Sequence, residues 1–325
     1  MQRRIFINVA AATAASIACP LLRAQTLPSG PVRIIVGFAP GGGTDILARV
    51  IAQKLGVMWG IPVLVENKAG AAGMIAADYV AKQPSEGSAL LMAHINSHAI
   101  APALTPRMTY NAESDFTPNV LVGVTPNLLI CSDQQQARTV KDVVELCRKN
   151  PGKISFGSAG NGSAQHLALE MFKLAAKIDA IHVPYKGSGP MLTDLIGGQI
   201  NYSFDTMTAA TPHVKSGKAI AIAQTRTKRA KGHPNVPTMA ESGFPGFEAT
   251  TWYGIEGPGK LPAAFAKRMN EDINKVLQMP DVVEKFEQYG ADDGGGSTEK
   301  FGDFIRVEAK KWAKVVKDAN VKGDA

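Results

Sequence analysis

The sequence has little cysteine and no apolar segment of membrane-spanning length. Only three cysteines occur in 325 residues, and no group of His, Cys and Asp residues has the spacing of a zinc site. After residue 25, no apolar run approaches the length that a transmembrane helix requires. Low-complexity tracts and repeats at solenoid or propeller spacing are also missing. What remains is an ordinary globular balance, 45% hydrophobic and 19% charged, in a chain long enough for two domains with separate cores.

The signatures of nucleotide binding are missing as well. A glycine-rich turn at residues 40–45, PGGGTD, connects an apolar strand to an amphipathic helix, but it contains no lysine. A P-loop requires Gly-Lys-Ser/Thr at this place, and the dinucleotide fingerprint G-x-G-x-x-G is absent from the turn. We therefore expect the turn to hold a carboxylate rather than a phosphate.

The first residues, MQRRIFINVAAATAASIACPLLRAQ, are typical of a secretory signal peptide with cleavage after Ala24. Arg3 and Arg4 followed by Ile-Phe-Ile also resemble a twin-arginine signal, so two export routes stay open. Removal of residues 1–24 takes away three arginines and no acid, which lowers the formal charge from +7 to +4. Such a mild balance, spread over many Lys and Glu residues, indicates a solvated surface and no nucleic-acid partner.

Two cysteines remain after that cleavage. Cys131 ends an apolar strand pattern, and Cys147 lies on a predicted helix. Export permits a disulfide between them. The alternative is a pair of buried free thiols, because unpaired cysteine is common at both kinds of place.

Strand and helix patterns alternate along the chain, which predicts an α/β fold with doubly wound sheets. The run VRIIVGF is nearly all apolar, as expected of a strand covered on both faces. The same order of strand, glycine turn and helix recurs in KISFGSAGNGSAQHLALEMFKLAAK, so each half of the chain contains one such unit. Residues 228–254 are rich in Pro and Gly and predict a surface loop. The other predicted strands are 62–68, 88–95, 127–132, 180–185, 200–205 and 219–225, and the other predicted helices are 70–84, 139–152, 189–199, 262–290 and 297–319.

The two glycine turns are the first candidates for a binding site. In parallel α/β sheets, ligands bind beyond the carboxyl ends of strands, where helices begin. The turns at 40–45 and 158–163 both occupy such places, and each offers backbone N–H groups and the positive end of a helix. We expect them to face one cleft and to hold one anionic ligand. The alternative is two tight turns without a ligand, and Asp45 is interpreted as mainly structural.

Side chains at other strand ends are further candidates. Asp205 ends the strand INYSFD, where it either contacts the ligand or caps the next segment. Tyr185 either stacks on the ligand or packs, and Asn96 and Ser97 serve as neutral donors or as loop caps.

Nucleophilic catalysis is the competing interpretation of the same region. Ser158, Ser163, His166 and Asp205 are the residue types of a triad. The segment FGSAG does not fit G-x-S-x-G, however, because Ser158 follows the first glycine directly. His166 is expected to pack or to form a hydrogen bond in the cleft wall rather than to act as a base.

Several motifs, taken together, resemble one known family. They are P-x-R-I-I-V-x-F-x-P-G-G-x-T-D-x-x-A-R, V-E-N-K-x-G-A-x-G, F-G-S-x-G-x-G-S-x-x-H-L, V-P-Y-K-G, D-L-I-G-G-Q, V-P-T-M-A-E-S-G and a final E-x-x-K-W-x-K-V-V-K-D-A. The chain resembles the Bug family, the extracytoplasmic solute receptors of tripartite tricarboxylate transporters, from about Pro28 to Val321. It differs from the usual pattern at SEGSALLMAHINSH, where His94, Asn96 and His98 make one wall of the cleft unusual.

The resemblance implies a periplasmic binding protein fold of type II, with two α/β domains joined by crossover strands that act as a hinge. Domain 1 would comprise residues 25–123 and 249–325, and domain 2 residues 124–248. The resemblance also implies that backbone amides and ordered waters hold the ligand carboxylate, with Asp205 in the place of the family's aspartate. The predicted ligand-binding residues are Phe38, Ala39, Gly41, Gly42, Gly43, Thr44, Asn96, Ser97, Ser158, Ala159, Gly160, Ser163, His166, Tyr185 and Asp205.

The sequence therefore predicts a periplasmic solute-binding receptor and not an enzyme, with no cofactor and no metal. The expected ligand is a di- or tricarboxylate, an acidic amino acid or an aromatic acid, and the expected partners are the permease subunits of the transporter. Two alternatives stay open. One is a hydrolase or isomerase that acts on a carboxylate in the same cleft, and the other is a ligand-sensing partner of a signalling receptor.

Overall fold

The structure, a computed structural model, describes residues 27–105, 107–318 and 321. The predicted signal peptide, residues 1–24, lies outside this part of the chain. No helix of the described residues is both long and apolar enough to cross a membrane. In chain order the strands are β1 (Val32–Val36), β2 (Val63–Asn67), β3 (Ala89–His94), β4 (Phe116–Ser132), β5 (Ser155–Ser158), β6 (Ile181–Pro184), β7 (Tyr202–Thr206), β8 (Ala219–Gln224) and β9 (Thr250–Pro258). The α-helices are α1 (Gly43–Trp59), α2 (Met74–Ala81), α3 (Ala101–Leu104), α4 (Val140–Lys149), α5 (Ala164–Ala176), α6 (Ser188–Ile196), α7 (Met207–Lys215), α8 (Ala263–Leu277), α9 (Pro280–Gln288) and α10 (Thr298–Asp318).

The strands form two sheets, and each sheet is the centre of one lobe. In lobe one the strand order is β2-β1-β3-β9-β4, with β1 parallel to β2 and β3 and with β9 antiparallel to both of its neighbours. In lobe two the order is β6-β5-β7-β4-β8, with β5 parallel to β6 and β7. Helices α8 and α10 return from the end of the chain and pack on β4. This is the two-lobed α/β fold that the alternating pattern predicted.

Strand β4 belongs to both sheets. Its first part pairs with β9 as far as Pro126, and its last part, from Asn127 onward, pairs with β7 and β8. Asn127 lies at the change of sheet, where its Nδ2 donates to the carbonyl of Ala249 at 2.8 Å. The chain thus passes between the lobes through paired strands. The predicted domain limits at 123/124 and 248/249 stay a prediction.

Helix α1 shows how the local sequence builds the first unit. It begins after Gly42 and ends at Trp59, and the residue that caps it is Gly60, whose φ of 67° is the left-handed conformation that favours glycine at a helix end. Leu47, Ile51 and Leu55 recur along one face and are fully buried in the core of lobe one. Each such side chain contributes about 1.5–3 kcal/mol on burial, so the packed face anchors the helix start against β1.

Some local predictions were wrong. Strand β4 begins at Phe116 rather than at residue 127, because the interruptions at Pro118 and Gly123 are absorbed by irregularities in its pairing with β9. Strand β9 occupies the end of the predicted loop 228–254, where Trp252 and Tyr253 are fully buried. The predicted helix 262–290 is two helices, and the second begins at its Pro280.

Cys131 and Cys147 are free thiols in the structure, and both are buried. Burial raises the pKa of each thiol to about 11. Of the two alternatives for these residues, the structure has the pair of buried free thiols.

Candidate functional site

The two predicted glycine turns face each other across the lobes and line one small cavity. We call it the inner cavity, and its volume of about 10 Å³ has room for a single water-sized group. Both lobes supply its walls, so it exists only while they are in contact. Its lining residues are Phe38, Gly42, Gly43, Thr44, His94 and Tyr253 from lobe one and Ala159, Gln165, Ser188 and Thr206 from lobe two.

A larger space, the outer cleft, lies beside the inner cavity and shares Phe38 and Ala159 with it. Its volume is about 470 Å³. Glycine and alanine backbone forms much of the wall, which allows a ligand to approach main-chain groups closely. The remaining lining residues are Gly37, Gly70, Ala71, Ala72, Gly160, Asn161, Pro184, Tyr185, Lys186 and Pro190.

Direct hydrogen bonds join the lobes around these spaces. The N–H of Ala39, just before the turn at 40–45 (turn one), donates to the carbonyl of Lys186 in lobe two, at 3.0 Å. From the other side, the N–H of Ala164 at the start of α5 donates to Oδ1 of Asn96 in lobe one, at 2.9 Å. The lobes are therefore closed on each other, and Asn96 acts as a cap for a helix of the opposite lobe.

Four helices begin at the inner cavity. Gly43 and Thr44 are the first residues of α1, Gln165 is in the first turn of α5, Ser188 is the first residue of α6 and Thr206 is the N-cap of α7. Helix N-termini carry a partial positive charge and unpaired N–H groups, so their convergence favours an anion nearby.

Turn one keeps several amides unused. The N–H of Gly41 donates to Asp45 Oδ2 at 3.1 Å, but none of the described residues accepts from the N–H groups of Gly42, Gly43 or Thr44. Burial of Asp45 opposes its ionisation, yet hydrogen bonds from Arg49, Asn67 and Gly41 lower the pKa of its carboxyl. Asp45 thus holds the turn together, as expected.

The amides of the turn at 158–163 (turn two) are satisfied mostly within the turn itself. Gly160 N–H donates to Ser158 Oγ at 3.1 Å, and Gly162 N–H donates to His166 Nδ1 at 3.1 Å. Ser163 Oγ accepts from the N–H of His166 at 3.2 Å, which caps α5. In this closed structure, Ser158, Ser163 and His166 therefore shape the turn.

Asp205 is fully buried beside the inner cavity. Its Oδ1 accepts from Ser188 Oγ at 2.5 Å and from the N–H of Thr206 at 2.8 Å, while Oδ2 has no hydrogen-bond partner among the described residues. Burial raises the pKa of this carboxyl to about 7, against the lowering effect of Ser188, Thr206 and Gln165. The group can therefore change its charge near neutral pH.

His94 forms part of the lobe-one wall of the inner cavity. Its ring lies between Phe38, with centroids 5.0 Å apart, and Tyr253, with centroids 5.2 Å apart. Burial lowers the pKa of the imidazole to about 3, so the ring is neutral at physiological pH. Its Nδ1 accepts the N–H of Asn96 at 3.2 Å, which assigns the ring proton to Nε2.

The other predicted side chains have partners away from the inner cavity. Ser97 Oγ donates to the carbonyl of His94 at 3.1 Å, and Tyr185 OH donates to Asp194 Oδ2 at 2.7 Å. Burial raises the pKa of Tyr185 to about 12. Of the predicted residues, Phe38, Gly42, Gly43, Thr44, Ala159, Gly160 and Tyr185 line the two spaces, whereas Ala39, Gly41, Asn96, Ser97, Ser158, Ser163, His166 and Asp205 lie behind them.

Ser158, Ser163, His166 and Asp205, which have the residue types of a catalytic triad, do not form one in the structure. Asp205 bonds Ser188 and Thr206, and Ser158 Oγ lies 2.6 Å from Nε2 of His182. His182 stacks on His166 with centroids 3.9 Å apart, and burial lowers its pKa to about 3, which makes it a weak base. Within the described residues, no group of three or more His, Cys, Asp or Glu could hold a metal ion.

The prediction from sequence missed Gln165, Ser188, Thr206 and Tyr253 among the cavity residues. It placed His94 in a wall of the cleft but did not include it among the ligand-binding residues. Ser188 had a usable signal, because it follows Gly187 at a third junction between a strand and a helix. Gln165 had a weaker one, its place in the first turn of α5. Tyr253 had none, since it lies on the strand that was predicted as a loop.

A groove of about 780 Å³ also lies on lobe one, between α10 and residues 102–118, away from the cleft. Its lining residues come from one lobe only, so closure of the lobes does not act on it. The inner cavity, by contrast, is lined by both glycine turns.

Comparison with known proteins also indicates a solute-binding receptor. The model of the tripartite tricarboxylate transporter family receptor, TctC, matches residues 47–321. The chain belongs to this receptor family. The resemblance to the Bug family is thereby confirmed, as is the function of a solute-binding receptor.

Relatives of the receptor match nearly its whole length. Protein BugT of Bordetella pertussis is 35% identical over 309 residues, which cover 95% of this chain and 94% of that protein. The structure of an R. palustris protein with adipate has a TM-score of 0.89 and 33% identity, and the match covers 91% of the receptor and 99% of that chain. MatC from Rhodopseudomonas palustris with bound malate has a TM-score of 0.83 and 29% identity, over 89% and 100% of the two chains. The predicted two-lobed binding protein fold is confirmed.

Proposed function

We propose that this receptor captures a small carboxylate between its two lobes in the periplasm and delivers it to the membrane permease of a tripartite tricarboxylate transporter. The observation that carries the proposal is that the turns at 40–45 and 158–163, one from each lobe, both line the inner cavity. The N-terminal signal peptide predicted from the sequence supports export. The adipate and malate bound by structurally similar proteins support a carboxylate as the ligand class.

The carboxylate binds between the lobes, where the outer cleft adjoins the inner cavity and the start of α1. Unused N–H groups in turn one and the converging helix ends favour a negative charge there. Lys186, on the outer cleft wall, adds a cationic side chain. Closure of the lobes removes water from these bonds and strengthens them. Asn96, Ser97, Ser158, Ser163 and His166 act by holding the two turns in shape, and Asp205 acts by holding Ser188 and Thr206. Phe38 and Tyr185 line the space around the ligand.

The proposed receptor binds its ligand and does not transform it. The Ser158–His182 contact is the nearest approach to a nucleophile and base, but a histidine whose pKa is about 3 is a weak base at neutral pH. Asp205 orients Ser188 rather than a histidine. These contacts favour a receptor over a hydrolase or isomerase.

Isothermal titration of the mature chain tests the proposal. The panel contains adipate, malate, succinate, citrate, glutamate and nicotinate, and each acid is paired with its neutral amide. We expect one site per chain that binds at least one acid and rejects the matching amide, because the amide lacks the charge. A folded protein that binds none of the acids, or that binds an acid and its amide equally, would overturn the proposal. Steady turnover of a bound acid would favour the enzyme instead.

A further inference from the structure

A cluster of three charged side chains joins the lobes outside the cleft. Arg226 follows β8 in lobe two, and its Nη1 lies 2.6 Å from both carboxylate oxygens of Asp292 in lobe one. Its Nη2 donates to Oδ2 of Asp293 at 2.7 Å. We call these three residues the hinge brace. None of them is among the described residues that line the inner cavity or the outer cleft, so the brace makes no contact with a ligand there.

Each end of the hinge brace is fixed to β4 by main-chain hydrogen bonds. Val124 and Asp292 exchange two such bonds, at 2.8 and 3.1 Å. At the other end, Thr225, the residue before the arginine of the brace, donates its N–H to the carbonyl of Asn127 at 3.0 Å. The brace therefore spans residues 124–127 of β4, the section in which this strand passes from one sheet to the other. A rotation of the lobes about this section changes the distance between the two ends of the brace.

Further contacts bring the same two segments close together. Lys231 Nζ lies 2.6 Å from Oε1 of Glu287. The backbone at Gly232 approaches the opposite lobe so closely that a Cβ there would lie 2.6 Å from the carbonyl oxygen of Gln288 and 2.7 Å from that of Glu287. A side chain at residue 232 would not fit, because glycine alone allows this approach of two backbones. The segments that carry the hinge brace thus lie against each other in the closed arrangement.

The geometry of the hinge brace makes it sensitive to the angle between the lobes. A guanidinium presents its N–H groups in a rigid planar fork, and such charge-assisted bonds are about twice as strong as neutral ones. The side chain of Arg226 is 22% exposed, so water screens its bonds less than those of Lys231, which is 80% exposed. A displacement of about 1 Å lengthens these bonds past the limit of a hydrogen bond. The fork therefore favours the closed arrangement in which it is formed.

We infer that Arg226, Asp292 and Asp293 are positioning residues that stabilise the closed arrangement of the lobes and set the fraction of receptor that is closed before a ligand arrives. The inference rests on the proposed function, because closure is what holds the ligand. If a ligand binds only the closed receptor, the measured Kd equals the Kd of the closed form divided by the closed fraction. The hinge brace thus controls affinity without touching the ligand.

Spin labels in the two lobes measure closure without a ligand. Val57 on α1 and Leu174 on α5 are 83% and 63% exposed, and both lie toward the outer ends of helices that begin at the cleft. The substitutions Val57→Cys and Leu174→Cys provide sites for nitroxide labels, whereas the thiols of Cys131 and Cys147 are buried and react slowly. Double electron–electron resonance then gives the distribution of distances between the labels in the mature chain, in the absence of any acid.

The variants remove the bonds of the hinge brace from either lobe. One is Arg226→Gln, and the other combines Asp292→Asn with Asp293→Asn. The matched control is Arg229→Gln, the same substitution in the same segment, because Arg229 Nε pairs with Oε2 of Glu241 within lobe two, at 2.9 Å. We expect both brace variants to lower the ratio of closed to open receptor about 3- to 10-fold, between the effects of an exposed ion pair and of a buried charged hydrogen bond. The control should match the parent protein.

The combined variant tests whether the three residues act as one unit. With all three substitutions the receptor should be no more open than with either set alone, since the same bonds can be removed only once. Isothermal titration with adipate and malate links closure to affinity. For an acid that binds, we expect the Kd of Arg226→Gln to rise by the factor by which its closed fraction falls. Circular dichroism checks the fold, and a folding defect in one brace variant leaves the variant of the other lobe as the test.

Two results would overturn the inference. One is a distance distribution in both brace variants that equals that of the parent protein. The other is an equal shift in Arg229→Gln, because the loss of a positive charge would then explain the opening without the brace. In both cases the proposed receptor function stands. If the distances shift as expected but no acid of the panel binds, the proposed function is lost and the role of the brace in closure remains.

Discussion

Substitution of Gly43 by alanine should obstruct closure of the lobes. A Cβ at this residue would lie 2.4 Å from the hydroxyl of Tyr253, 2.9 Å from Oγ1 of Thr206 and 3.1 Å from Cβ of Thr208. The first contact is within lobe one, and the other two extend across the cleft to lobe two. The added methyl group also fills the inner cavity, whose volume is about 10 Å³.

The size of the effect follows from these distances. Ordinary contacts of a Cβ begin at 3.4 Å, so the groups around Gly43 must move apart by about 1 Å. Overpacking of this kind costs about 1–3 kcal/mol. If the strain is present only in the closed form, ligand affinity falls roughly 5- to 150-fold, because each 1.4 kcal/mol is tenfold in Kd.

Gly42→Ala is the matched control. A Cβ at Gly42 meets Ser188 Cβ at 3.6 Å, an ordinary contact, and the φ of −79° suits any residue. The assay is titration of both variants with the acid that binds best to the unmodified chain, after circular dichroism has shown that both are folded. We expect Gly43→Ala to be impaired and Gly42→Ala to change little. Equal affinity of Gly43→Ala and the parent protein would refute the reasoning, because the liganded state would then not contain this cavity.

Two further predictions concern stability. The pKa of Asp205 is raised to about 7 in the folded state, so the folded protein holds an extra proton between about pH 4 and 7 and its free energy of unfolding falls as pH rises through that window, by up to roughly 4 kcal/mol. Asp205→Asn should remove this dependence in urea unfolding between pH 5 and pH 8, and an unchanged slope would mean that another group titrates. Asn127→Leu should lower the free energy of unfolding by about 0.5–1.5 kcal/mol, because the Ala249 carbonyl at the change of sheet loses one of its two donors and keeps only Thr225 Oγ1. Thermal unfolding measures that loss, and a melting temperature equal to that of the parent protein would show that the bond contributes nothing.

Much of the fold follows from local pattern, because the two units of strand, glycine turn and helix combine the strongest local signals. VRIIVGF and the face of Leu47, Ile51 and Leu55 are periodic and uninterrupted. Strand β4 was predicted only in part, since Pro118, Gly123 and Pro126 break the period in a strand that is held by pairing with β9. Such pairing joins residues far apart in the sequence, and no local window contains it.

The site was predictable to a smaller degree. Glycine turns before helices have a backbone signature, so Phe38, Gly42, Gly43 and Ala159 could be placed near the cleft from sequence. Gln165 and Tyr253 contribute only their side-chain ends, and their meeting depends on how the lobes close. Turn two illustrates a second limit. Its amides looked available in the sequence, yet Ser158 and His166 use them internally.

The continuity of β4 has a consequence for engineering. Neither half of the molecule can be cut out as a self-sufficient fragment, because one unbroken 17-residue ribbon completes the hydrogen-bonded framework of both. A sensor built from this scaffold should therefore carry its reporter at an exposed surface loop, away from the ribbon, so that the mechanical link between the halves remains whole.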